Sequence, residues 1–122
     1  MTDRIYHVAI ADDWSMSEPM GEYAASTRGV AFDDVGFVHA ASAGDVGFVL
    51  DTFYADLRLP LVLLEIDPAG LESRGIGLEW EEQGGRRFPH ILAPLPWDDD
   101  VVVAVRPLTR SDAGWQAPAD LA

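Results

Sequence analysis

Hydrophobic and polar positions alternate over short stretches of this chain, and only one run carries a clear helical period. Ile5-Tyr6-His7-Val8-Ala9-Ile10 reads as a strand. Period two puts Ile5, His7 and Ala9 on one face and Tyr6, Val8 and Ile10 on the other. Leu59 to Asp67 is the most apolar run, and its length, with Pro60 near its start, predicts a central strand. Val101 to Val105 predicts a second. Gly77-Leu78-Glu79-Trp80-Glu81 alternates, with Leu78 and Trp80 on one side and Glu79 and Glu81 on the other. Val46, Val49, Leu50 and Phe53 repeat at helical spacing, and Ser42 stands where an N-cap belongs. A core-facing helix over Ala43 to Tyr54 follows.

The remaining segments read as connections. Asp12-Asp13 opens a short helix that Pro19 and Gly21 break. Residues 21–26 form a second short segment, 28–35 a connector, and 71–77 an irregular piece. Pro89 has no N–H for a ladder, so His90 is expected after a strand edge or bend. From Thr109 onward the chain is polar and proline-containing, a frayed tail against which only Trp115 packs back. The order β-α-(α)-β-α-β-β-β-β predicts one α+β domain over residues 1–108, followed by a polar tail over 109–122. The domain is a small curved or split β-sheet with two or three short helices placed early in the chain.

Charge narrows the partners. The 122 residues carry a net charge of −13, from 21 acidic against 8 basic residues, and every basic residue is arginine. Such a surface repels phosphate backbones and anionic lipid, so nucleic acid and membrane are excluded as expected partners. A small-molecule ligand remains, and an anionic one needs local arginines. The only cationic cluster is the turn Gly84-Gly85-Arg86-Arg87, a pattern that most often marks a solvated hairpin loop. There is no cysteine, hence no disulfide framework and no thiolate metal site. No apolar run approaches the ~18 residues of a membrane span. No signal-peptide pattern opens the chain, so the expectation is a soluble, cytoplasmic protein. Nothing in the sequence sets an oligomeric state.

Candidate chemistry centres on Gly36-Phe37-Val38-His39-Ala40-Ala41-Ser42, a short strand running into a helix start. The three histidines, His7, His39 and His90, all lie in or after strand-like segments. Three readings stand side by side. One is a three-histidine metal site, for which the spacings match no local ligand motif. Another is acid–base chemistry, with Glu81 or Glu79 polarising a histidine. The third is a nucleotide-like ligand, with histidines at ribose hydroxyls and Ser42 or a helix N-terminus at a phosphate. Each histidine alone is more often a hydrogen-bonded, half-buried side chain than a ligand contact. Tyr23 and Ser26 are loop packing or part of a pocket wall. Glycine-rich phosphate loops, GxSxG and HExxH are absent, and with no cysteine, nucleophilic catalysis is unsupported.

An ordered set of motifs adds to this. Ile5-Tyr6-His7, Asp13-Trp14, Gly21-Glu22-Tyr23 with Ser26, and Gly36-Phe37-Val38-His39 with Ser42 come first. Leu61 to Asp67, Trp80-Glu81 with Gly84-Gly85, and Phe88-Pro89-His90-Ile91 with Pro94-Leu95 follow. The set resembles the bacterial and plant family catalogued as domain of unknown function 952, over about residues 4 to 108. Members of that family look like compact relatives of the ADP-ribosyltransferase fold, whose cleft takes NAD. The resemblance implies that His7 contacts a ribose, that His39 and Ser42 line the same cleft, and that Glu81 orients the reacting ribose. The family usually places a serine–arginine pair where this chain has Glu82-Gln83, so Arg86 or Arg87 stands in as the anion contact. The resulting assignment is His39, Glu81 and His90 as catalytic residues, with His7, Tyr23, Ser26, Ser42 and Arg86 as ligand-binding residues. No metal is assigned, and NAD is a substrate rather than a resident cofactor. The alternative is a non-catalytic small-ligand or protein-partner binding domain in which the histidines are structural.

Overall fold

The first strand, Ile5–Ile10 (β1), is apolar on both faces and is covered on both. Ile5 and Ala9 belong to one hydrophobic cluster with Leu64, Ile66 and Ile91. Tyr6 and Val8 belong to a second, with Val46, Leu50 and Leu63. The alternation read from the sequence is therefore the division between two cores. His7 points the same way as Ile5 and Ala9 and is 2% exposed.

The computed structural model describes residues 3–121; Met1, Thr2 and Ala122, at the ends of the predicted domain and tail, lie outside them. After β1 come helix α1 (Ala11–Met16), a 3₁₀ turn (Glu18–Met20), β2 (Glu22–Tyr23), β3 (Ala25–Thr27), β4 (Val30–Ala31) and helix α2 (Phe32–Val35). Then follow β5 (Val38–His39), β6 (Ala41–Ser42), a 3₁₀ turn (Ala43–Asp45), helix α3 (Val46–Phe53), β7 (Leu61–Ile66) and helix α4 (Pro68–Ser73). The chain ends in β8 (Leu78–Gln83), β9 (Arg86–Ile91), β10 (Leu95–Pro96), β11 (Val102–Pro107), β12 (Thr109–Ser111) and β13 (Gly114–Gln116). The described strand pairs are all antiparallel. This is an α+β chain of several short sheets and few short helices.

Two sheets position the site. One has four strands in the order β11-β7-β1-β6, the other three in the order β5-β9-β8. Ala40 alone separates β5 from β6, so the chain steps from one sheet to the other at a single residue. Pro89 explains where the step falls. Its carbonyl accepts from the Ala40 N–H at 3.1 Å, but it has no N–H to return. The β5–β9 ladder stops there, and the chain is free to cross to β1. Pro89 thus lies inside a central strand, at a position where its partner strand ends, and His90 is a ladder residue rather than one beyond a bend. The β8–β9 hairpin closes on Gly84 and Gly85, with φ of 57° and 82°. Successive positive φ values suit the two-residue hairpin turn whose twist matches its strands.

Other expectations are corrected. Ser42 makes no side-chain cap, and a 3₁₀ turn occupies Ala43–Asp45 before α3 begins. Phe53 is 47% exposed and outside the core, because α3 ends there and only Val46, Val49 and Leu50 face inward. The stretch read as irregular, 71–77, begins inside α4: Asp67 caps that helix by accepting from the Ala69 N–H at 3.0 Å, and Pro68 suits its first turn. A Cβ on Gly70 would overlap the Asp100 carbonyl, so that glycine serves a close approach of the two segments. Residues 21–31 hold three short strands rather than a loop. The tail is not frayed at its start: β12 and β13 form a hairpin, and the buried Trp115 donates its indole N–H to Leu57 O at 3.0 Å. Among the described residues, no helix is long and apolar enough to cross a membrane.

Candidate functional site

Strand register assembles one face of the three-stranded sheet. His39 of β5 lies opposite His90 of β9, and Glu79 of β8 lies opposite His90 on the other side. Glu81 lies opposite Phe88, and Gln83 opposite Arg86. Side chains at these positions share a face because pleating alternates by two. Rings dominate it. His39 and His90 stand 5.7 Å apart, and Phe88 is 5.5 Å from His39. Phe53, at the end of α3, meets His39 edge-on at 6.4 Å. The exposed Phe53 is thus a wall of this face. Phe48 stacks on Phe88 at 6.1 Å, and the Arg86 guanidinium lies 4.1 Å above Phe48.

His90 is the least satisfied group on this face. It is 4% exposed, yet its Nε2 has no hydrogen-bond partner among the described residues. Its Nδ1 stands 3.3 Å from Glu81 Oε2. A carboxylate accepts, so the neutral tautomer that suits this pair has its proton on Nδ1 and a lone pair on Nε2. Phe37 lies flat against the His90 ring, with centroids 3.8 Å apart and planes 4° from parallel. A buried acceptor left unmet costs about 1–3 kcal/mol, which a bound donor recovers. His39 has no ring hydrogen bond among the described residues. Its pKa is held below the ordinary value, first by burial and then by the neighbouring His90, so its imidazole is neutral near pH 7.

His7 is the opposite case. Its Nδ1–H donates to the His39 carbonyl at 2.5 Å, and Tyr23 O–H donates to its Nε2 at 2.9 Å. A carbonyl cannot donate, which settles the tautomer. Burial pushes the His7 pKa down to about 4 and pushes that of Tyr23 up. Both ring nitrogens are spent inside the protein. Thr27, Val49 and Tyr54 line a narrow cavity beside His7 and His39, and the Tyr54 hydroxyl donates to Val8 O at 3.3 Å.

The residues expected in one cleft thus fall into three places. His39, His90 and Glu81 share the aromatic face. His7 and Tyr23 form a buried pair behind it, joined to it through the His39 carbonyl, with Ser26 buried in β3 and tied to neither by a hydrogen bond. Ser42 and Arg86 line an open groove of about 670 Å³ at the β8–β9 turn, with Arg87 and Trp80. In that groove Arg86 is already held by Asp45 Oδ1 at 2.6 Å. Among the described residues, no cluster of three or more histidine or acidic side chains could hold a metal ion. Phe37, Phe48 and Phe88 have no site role in the sequence reading, and Phe53 stands there as a core residue. Alternation about His39 pointed to Phe37, but the others depend on which strands and helices meet.

The model of a protein family of unknown function (DUF952) matches residues 8–105, so the chain belongs to that family. In overall structure the chain is similar to the crystal structure of protein CC0527 from Caulobacter crescentus. The two are 25% identical, with a TM-score of 0.75 and 93% of each chain covered. A double mutant of the same protein matches equally well. None of the curated proteins matches the chain.

Proposed function

We propose that the aromatic face is a small-ligand site and that its ligand is NAD or an ADP-ribose-like molecule undergoing ADP-ribosyl- or glycosyl-transfer chemistry. The observation that carries the site is the buried Nε2 of His90, unpartnered among the described residues, beside an Nδ1 that stands 3.3 Å from the Glu81 carboxylate. The nucleotide and the reaction rest on the resemblance to the ADP-ribosyltransferase fold. In this reading an acceptor hydroxyl donates to His90 Nε2. As the nicotinamide–ribose C–N bond breaks, its electron pair leaves with nicotinamide. The hydroxyl oxygen bonds to the ribose carbon, and its proton passes to His90. Glu81 faces the imidazolium so formed and stabilises it. Its second carboxylate oxygen is left for a ribose hydroxyl. The neutral His39 and the Phe53 ring flank the ligand. The half-exposed Phe37 ring, stacked on His90, fixes the plane in which a donor approaches Nε2.

A second reading is a non-catalytic ligand- or partner-binding domain with structural histidines. His7 favours it at one of the three positions, since both of its nitrogens are already satisfied.

The test is a melting curve with and without NAD, ADP-ribose and nicotinamide, on the wild type and on His90→Phe. A ligand at a hundred times its Kd adds ~2.7 kcal/mol, a shift of several degrees for a chain this size. The expected result is a shift in the wild type that disappears in a still-folded His90→Phe. No shift with any of the three would remove the nucleotide from the reading. A shift with no nicotinamide released from NAD would decide for the second reading.

A further inference from the structure

A second surface lies beside α1, away from the histidine face. It is a groove of about 320 Å³, floored by Tyr23, Ala24 and Ala25 and walled by Met16 and Met20. These methionines are 76% and 78% exposed. The base beneath them is stiff. Trp14 stacks on Trp97 at 4.1 Å and 12°, while Ser17 Oγ donates to Trp14 O and accepts from the Trp97 indole N–H, both at 2.6 Å. Unbranched thioether chains on a fixed floor can refit to different apolar shapes.

Charge selects the occupant. Asp13 and Glu22 line the groove, and Asp12 and Glu18 lie on the same two turns. None of the eight arginines falls between Ile5 and Thr27. Five of them are already in ion pairs with carboxylates elsewhere in the chain. A second copy of this chain, at −13, would be repelled, as would anionic lipid. We propose that this groove docks a basic amphipathic segment of a partner protein. An apolar side chain of that segment sits between Met16 and Met20, and its arginines or lysines meet Asp13 and Glu22. Apolar burial supplies the hold and the acidic rim the selection.

The chain has three methionines, Met1, Met16 and Met20, so methyl-labelled methionine NMR reads the groove directly. The probe is a synthetic twelve-residue peptide with leucine on one helical face and arginine on the other. The expected result is saturable movement of the Met16 and Met20 methyl signals. A leucine–glutamate peptide should leave both unmoved, and a serine–arginine peptide should bind at least about tenfold more weakly. The Met16→Ser/Met20→Ser double variant changes exposed side chains only, so it stays folded; its binding, read by calorimetry, should fall by a similar factor. The proposal is overturned if the leucine–arginine peptide moves neither signal. It is also overturned if the serine–arginine peptide binds as tightly, which would be general attraction to an acidic protein, or if the double variant binds unchanged.

Discussion

His7 and His90 are buried to nearly the same degree, at 2% and 4% exposure, and both stand on strands between hydrophobic clusters. One has both nitrogens spent on internal partners; the other has one nitrogen facing an exposed carboxylate and, among the described residues, no partner for the second. Burial alone therefore does not separate a structural histidine from a candidate working one. The accounting of lone pairs and protons does. His7 locks the His39 carbonyl and the Tyr23 hydroxyl into one arrangement, while His90 carries an unmet acceptor that the fold tolerates at a cost.

The contrast can be broken most forcefully at His7. His7→Phe keeps the ring volume but orphans the Tyr23 hydroxyl and the His39 carbonyl. At about 1–3 kcal/mol per buried orphan, the expected loss is about 2–6 kcal/mol in urea unfolding. A loss below 1 kcal/mol would mean that the two bonds hold little.

The next largest effect is in pH. The folded His7 pKa is pushed down to about 4, below the ordinary value of 6.5. Below pH 6.5 the unfolded chain takes up a proton that the folded chain refuses until about 4. The stability contribution is thus complete above 6.5 and falls as pH drops through that window, by about 3 kcal/mol in all. His39, also held below its ordinary value, adds in the same direction. The difference between wild type and His7→Phe should therefore shrink as pH falls from 6.5 to 4. A difference constant across that range would show that His7 titrates normally.

Smaller effects sharpen the other side. Phe37→Ala removes a half-exposed stacked ring, an expected loss of about 1 kcal/mol in urea unfolding. His90→Phe preserves a ring for Phe37 to stack on and removes the unmet acceptor. It should unfold within about 1 kcal/mol of wild type while ligand binding disappears. A large destabilisation by His90→Phe would turn His90 into a second His7.

Local physics made some of this legible in advance. The alternation of β1 showed through because both of its faces are apolar, and Gly84-Gly85 marked a hairpin because only that turn needs successive positive φ. The start of α4 was written in Asp67-Pro68, but no local pattern tells that Gly70 admits the Asp100 carbonyl. The family, too, was readable from its ordered motifs. What stayed hidden was pairing. That His39 meets His90 while Ser42 turns to a different groove depends on Pro89 ending one ladder and Ala40 switching sheets, which no local pattern carries.

That switch also bears on how the chain folds. His39 and His90 face one another across 51 residues, and β1 pairs with β7 across a comparable span. Closing a loop of that length costs about 3.5 kcal/mol in chain entropy beyond a constant, before any contact returns it. Pairings so distant raise the contact order and so slow folding. The α3 helix and the β8–β9 hairpin can form on their own far sooner. The histidine face is then among the last parts of the molecule to exist, and a chain caught before β5 docks on β9 would have a formed hairpin and no site.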